Sequence, residues 1–218
     1  MDGYSAVPAL NMDYYNGNKC VAQLMTNKVL VENNMGIFRK MIFKFFNKKE
    51  KSVKSEFTSD KADWHWESAV EEYCKIHKVD LDFDNLDEDV ENIIWEYAGN
   101  HIACFLVWII QRDFYNPEMF EAKDIQLIKD EKITGTEFLM DYCDGKFFRE
   151  FMSEDILAFV DSYYDTKYIS DYCFFVEHII KGTVYGMRFS WDACHQLELF
   201  MDGAYKAYKR FGSVENIF

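Results

Sequence analysis

From Asp60 onward, apolar residues recur mainly at steps of three and four, the spacing that gathers them on one face of a helix. Val90, Ile94, Tyr97, His101, Phe105 and Trp108 make the longest such stripe and predict a central helix. Its charge-free part, Tyr97 to Gln111, is 15 residues long. That is shorter than the ~20 residues needed to cross a bilayer, so it reads as a core helix. Asn116-Pro117-Glu118 predicts a helix start, with a capping side chain before a proline whose missing N–H costs nothing there. Ser153-Glu154-Asp155 and Ser190-Trp191-Asp192 predict two more, with acidic residues facing the positive end of the helix dipole. In the last helix Cys194, Leu197, Met201, Ala204, Tyr208 and Phe211 form a short seam, read as a helix docked on its own core. Gly182 to Phe189 (GTVYGMRF) reads as a strand or a loop. The expectation is a mainly α, single helical domain with at most a short strand or hairpin. Trp64, Trp95, Tyr97, His101, Phe105, Trp108, Phe159, Tyr163, Tyr172, Trp191 and Leu197 are expected at or near its core.

Charge changes this picture more than composition does. The chain has 218 residues, 49% of them hydrophobic, enough for one core and unlike a disordered, collagen-like or disulfide-scaffold chain. Met35 to Ser55 holds seven basic residues and one acidic, a charge of +6, whereas 56 to 218 holds 15 basic and 34 acidic, or -19. Residues 1–55 therefore read as an extension with a basic aromatic segment at 35–55, and 56–218 as an acidic helical domain. The segment suits an anionic membrane surface, but docking on the oppositely charged domain is the favoured expectation. A net charge of -14 argues against nucleic-acid binding, because most of the surface would repel a phosphate backbone. The six cysteines are scattered without a C-x-x-C and read as reduced thiols. The N-terminus shows no basic start followed by an apolar run, so the expected location is cytoplasmic.

Three constellations carry candidate chemistry. Asp80, Asp82, Asp84 and Glu91 fall at positions 1, 3, 5 and 12 of the calcium-loop spacing, but Asn85 replaces the turn glycine and Asp87 the apolar anchor. The alternative is an acidic loop ahead of a helix. Cys74 and His77 share one helix face, and His101 and Cys104 another, so the four could hold zinc if the two faces met. The competing explanation is a hydrogen-bonded core histidine and a buried thiol. His65 stands between Trp64 and Trp66, near Asp60 and Asp63, where it could act as a general base, with His101 as a further candidate. Nucleophile-elbow, zinc-protease and phosphate-loop motifs do not occur. No cofactor is expected, and an enzyme is the less favoured reading.

The segments Asp60-Lys61-Ala62-Asp63-Trp64-His65, Gly99-Asn100-His101-Ile102 with Trp108, Phe159-Val160-Asp161-Ser162-Tyr163-Tyr164, Tyr168-Ile169-Ser170-Asp171-Tyr172, and finally Trp191, occur in an order that resembles a bacterial domain family of unknown function. The resemblance covers about Phe57 to Phe211. In that family the D-x-A-x-W-H opening, the histidine-led apolar helix, the double tyrosine and the Y-x-x-D-Y recur, and some members look like immunity proteins encoded beside polymorphic toxins. The acidic stretch between His65 and His101 is longer than in compact members. The resemblance implies a non-enzymatic inhibitor whose partner is a cognate protein toxin, and the charge of -19 over 56–218 points to a basic active-site groove on that toxin. Asp80, Asp82, Asp84, Asp87, Glu88, Asp89 and Glu91 are the candidate partner-binding surface, because dense carboxylates would speed encounter with such a groove.

Overall fold

In the computed structural model, which describes residues 56–214, the chain enters through a short strand, β1 (Ser59–Lys61), and a 3-10 helix (Ala62–His65). There follow α1 (Trp66–His77), a 3-10 turn (Phe83–Asn85), α2 (Glu88–Gln111), α3 (Ala122–Lys129) and α4 (Gly135–Cys143). Strand β2 (Lys146–Phe148) leads through another 3-10 turn (Arg149–Phe151) to α5 (Glu154–Tyr163). A π turn (Tyr164–Tyr168), α6 (Ile169–Phe174) and a second π turn (Phe175–Ile180) continue it, and α7 (Trp191–Phe211) closes the order. All described residues belong to the unit Lys49–Phe218. The extension expected over 1–55, with its basic aromatic segment, lies outside them.

The architecture is mainly helical, as the periodicity predicts, and it is arranged around α2. Asp87 caps that helix with a carboxylate oxygen that accepts from the Asp89 and Val90 N–H groups. From Tyr97 to Ile110 every residue is buried. A helix apolar on all sides needs cover on all sides. α1, α3, α4 and α7 all pack on it, as do the first 3-10 helix and β1. Among the described residues α2 is also the one helix long and apolar enough to cross a membrane, and 83% of its apolar window is buried inside the domain, in keeping with a core helix. Each Ile, Leu or Phe so buried contributes roughly 1.5–3 kcal/mol.

The far end of α2 is clamped to α7. Trp108 Nε1 donates to Asp202 Oδ1 at 2.9 Å, and Arg112 donates to both Asp202 oxygens and to Glu198 Oε2. Partial burial pushes the Asp202 carboxyl up, but the Arg112 and Trp108 donors outweigh it and hold the group below its ordinary value.

The strands form a two-stranded antiparallel ribbon with Asp60 opposite Phe147. Its members come from distant parts of the chain, so it is no local hairpin. Strand alternation turns Asp60 and Phe147 inward and leaves Ser59, Lys61, Lys146 and Phe148 half-buried. The turn out of α4 is pinned to this ribbon by the Ala62 N–H, which donates to the Gly145 carbonyl at 2.9 Å. Gly145 has φ +65°, a left-handed value that glycine takes without strain.

Several expectations need correction. No helix starts at Asn116: its side chain accepts from the Glu118 N–H and donates to the Glu150 carbonyl, making a turn that ties the loop to residues 150–152. The helix is deferred to Ala122. Ser153 precedes α5 as expected, yet its hydroxyl donates to Asp155 and caps no N–H, whereas Ser190 does cap α7. Gly182 to Phe189 is a loop. Trp64 is 59% exposed under the Lys61 ammonium and belongs to no core. Trp95 and Trp191 are half-buried at its edge, and the other expected core residues are buried. In the α7 seam Phe211 is exposed. Cys74, Cys104, Cys143 and Cys194 are free thiols, and Cys173 is not among them.

Two predictions follow from this packing. A Cβ on Gly135, at the first turn of α4, would stand 2.6 Å from Phe189 Cε2 and 2.7 Å from Val107 Cγ2. Gly135→Ala is therefore expected to lose about 1–3 kcal/mol by overpacking, read as a lower urea midpoint with an unchanged slope. For the clamp, a carboxylate depressed in the folded state contributes stability that is full above its unfolded value and is lost as pH falls through the folded value. Asp202→Asn should thus lower stability at neutral pH and flatten its decline on acidification below about pH 4, checked by denaturation at a series of pH values.

Candidate functional site

Four separate segments bring polar side chains to one place beside α2. Inward-facing Asp60 comes from β1, His65 ends the 3-10 helix that follows, His101 sits midway along α2, and Tyr164 opens the π turn after α5. Asp60 lies between the rings. Its Oδ1 is 2.9 Å from His65 Nε2, and its Oδ2 is 2.9 Å from the Tyr164 hydroxyl and 3.5 Å from His101 Nε2. The Lys61 backbone N–H adds a fourth donor at 2.8 Å. The two imidazoles meet edge to face with centroids 4.4 Å apart. On its far side His65 Nδ1 is 2.9 Å from the hydroxyl of Tyr185, which arrives on the loop before α7.

The π turn explains how adjacent tyrosines serve different partners. A regular helix turns about 100° between neighbours; widening the turn by a residue lets both rings point inward. Tyr163 donates to Asp171 Oδ2 and Tyr164 to Asp60, and both are buried. From Tyr164 the spacing of four continues down the same face. Tyr168 donates to the His101 carbonyl at 2.5 Å, and the Tyr172 hydroxyl accepts from Asn100 Nδ2 at 2.9 Å. Asn100 Oδ1 in turn accepts from the Cys104 thiol. The polar stripe of α2 and the tyrosine stripe therefore satisfy one another in the interior.

Burial alone would push the Asp60 carboxyl up, but the polar contacts from His101 and His65 reverse this and leave it well below the ordinary carboxylate range. Burial pushes His101 down, and His65 beside it adds to that against the raising pull of Asp60. A carboxylate only accepts, so His65 presents a proton to Asp60 from Nε2, and the Tyr185 hydroxyl faces the other ring nitrogen. A hydrogen-bonded chain from Tyr185 through His65 to Asp60 results.

A second feature lies nearby, a cleft of about 620 Å³ among the first 3-10 helix, α2, α4 and the turn into β2. Asp63, Glu96, Glu137, Asp141 and Asp144 line it together with the Trp95 indole. Lys146 is the one cation in its wall and pairs with Asp144. Glu96 is held by Arg188 at 2.5 and 2.7 Å, and Glu137 completes the α4 capping box. Among the described residues Asp63 and Asp141 make no ion pair.

The structure brings together Asp60, His65 and His101 from the candidate catalytic set; Asp63 instead faces the cleft. Among the described residues those three are the only His, Cys, Asp or Glu side chains whose ligand atoms gather within 4.8 Å of one another as a group of three or more. The calcium spacing gathers nothing. Asp82 spends its oxygens on the Asp84 N–H and Asn85 Nδ2, Asp87 caps α2, and Glu91 accepts from Trp95 Nε1. The zinc set is not assembled either: His77 is exposed and stacked on Tyr73, while Cys104 is buried against Asn100. Asp80, Asp82, Asp84, Asp87, Glu88, Asp89 and Glu91 are all exposed.

A family model described as a domain of unknown function, DUF7832, matches residues 58–200. The chain belongs to the DUF7832 family. The matched span contains every side chain of the Asp60 centre, Tyr185 included, and all the residues lining the cleft. Comparison with curated proteins and with solved structures gave no match. Tyr164 and Tyr185 are site residues that lie outside the candidate set. The four-residue spacing of Tyr164, Tyr168 and Tyr172 was a readable signal for the first, whereas Tyr185 sits 120 positions from its partner His65 in a loop without periodicity.

Tyr164→Phe keeps the ring and removes one donor from a buried carboxylate. The expected cost is about 1–3 kcal/mol of stability. Chemical denaturation with an intact near-ultraviolet circular dichroism spectrum checks it; no loss would mean that the hydroxyl is dispensable to Asp60.

Proposed function

We propose that this DUF7832 domain is a non-enzymatic interaction protein of the immunity type, which receives a basic surface of a cognate toxin on its acidic cleft. The cleft carries the reading: five carboxylates and an indole line it, and two of the five, Asp63 and Asp141, make no ion pair among the described residues, a setting that would accept lysine or arginine side chains by ion pairing and cation–π contact. A charge of -19 over 56–218 supports it further by steering a basic partner toward the domain. The exposed run from Asp80 to Glu91 leads into the outer face of α2 and so to Asn92, Trp95 and Glu96 on the cleft wall, which makes it a candidate rim of the same surface. Phe83, 61% exposed within that run, offers the partner an apolar contact.

A second reading, a metal-binding or catalytic protein, is favoured by the Asp60 centre, where residues of the D-x-A-x-W-H, histidine-led and double-tyrosine segments converge. The two readings use different residues, and one domain can satisfy both.

Co-expression with the product of the adjacent gene tests the first reading. Rescue of growth and a complex on size exclusion are expected, with Asp141→Lys weakening association at least ~10-fold and leaving the melting temperature unchanged. Asp84→Lys should slow association with a smaller effect on dissociation, as rim charges do. Neither rescue nor complex would sink the proposal.

A further inference from the structure

We propose that Asp60, His65 and His101 bind one first-row transition-metal ion of the zinc and iron(II) class. Three observations carry this. His65 Nε2 stands 2.9 Å from Asp60 Oδ1, and His101 Nε2 stands 3.5 Å from Asp60 Oδ2, so the carboxylate meets each imidazole through a different oxygen. Ligands at about 2.0–2.2 Å from one ion stand roughly 3.0–3.5 Å apart in octahedral or tetrahedral geometry, so contacts of this length are close to those a cation shared by the two oxygens, or held by one of them, would set. All three donor atoms lie within 4.8 Å of one another.

The second observation is charge. Asp60 is 8% exposed, and among the described residues no Lys or Arg side chain reaches it. A buried carboxylate with no lysine or arginine beside it is costly, and a divalent cation in place of the His65 Nε2 proton would compensate it. The third is the set of outer partners. A metal-bound imidazole is typically oriented through its other nitrogen, and a bound carboxylate through a further hydrogen bond. Tyr185 stands 2.9 Å from His65 Nδ1, and Tyr164 donates to Asp60 Oδ2. With His65 bound through Nε2 its proton would move to Nδ1, and the Tyr185 oxygen would then accept.

The donor chemistry selects the ion. Two imidazole nitrogens and one carboxylate suit zinc, iron(II) and their neighbours, whereas calcium requires six to eight oxygens. Three protein donors leave coordination positions open, the arrangement of catalytic rather than structural metal sites. His65, with 22% of its side chain exposed, marks the side from which an ion can enter.

The test uses the untagged full-length chain, purified without chelator and assayed by elemental mass spectrometry, then stripped and titrated with zinc(II) by calorimetry and with cobalt(II) by visible absorption. About one equivalent per chain and cobalt d–d bands are expected. His65→Ala should abolish both, and Tyr185→Phe should weaken zinc affinity ~10- to 100-fold. His77→Ala should leave binding unchanged. Should His65→Ala fail to fold, Tyr185→Phe decides, because it keeps the ring and removes the hydroxyl that faces His65 Nδ1. Folded wild-type chain that takes up no zinc or cobalt, or uptake unaffected by both variants, would overturn the proposal. These outcomes are independent of partner binding, which the size-exclusion experiment reads by itself.

Discussion

A helix that is buried on every side constrains the whole domain. From Tyr97 to Ile110 α2 has no face to give to water, so the chain must wrap it completely, and each neighbouring element is amphipathic because it spends one face on that task. The wrapping brings β1, the π turn and the loop before α7 to the same stretch of α2 although they are far apart in sequence. The few polar groups on α2 then have to be satisfied by whatever covers them. Asn100 and His101 meet tyrosines and an aspartate rather than solvent. The Asp60 centre is thus a consequence of enclosure, with polar groups placed where only protein can answer them.

What could be read in advance follows from the range over which each signal acts. The periodicity of α2 and the serine at the start of α7 are local, and both foretell their elements. Asn116 shows the limit of a local signal. Its side chain has an equally good use in tying a loop to residues 150–152, and that tertiary contact took precedence over starting a helix. Trp64 shows another, since an indole flanked by a histidine and a second indole looks like packing until the 3-10 helix turns it outward. The two short strands lie some 85 positions apart and carry no alternation long enough to read. Of the centre, Asp60, His65 and His101 could be named from residue type; their meeting could not, because nothing in the sequence orders β1 against the middle of α2.

Charge and chemistry are segregated in this domain. The acidic groups that make it so negative lie on the surface and along the cleft, where water screens them and a partner could reach them. The carboxylate of Asp60 is set apart from these, in the interior, among histidines and tyrosines. Surface carboxylates add to the long-range field of the domain, whereas a buried one is felt by the groups packed round it. Formal net charge therefore describes the surface and says little about the centre.

The widened turn at Tyr164 to Tyr168 fixes how this part of the family can vary in length. Removing one residue there would restore an ordinary helical repeat and leave everything beyond it in place, because five residues of the wide turn cover about the same rotation as four of an α-helix. Tyr168 and Tyr172 would keep the face opposite His101 and Asn100, and only one of the two adjacent tyrosines could still point inward. Among relatives, a one-residue gap beside the double tyrosine should therefore mark a lineage that keeps the lower contacts and has given up one inward hydroxyl, and the spacing is as informative a family character as the tyrosines themselves.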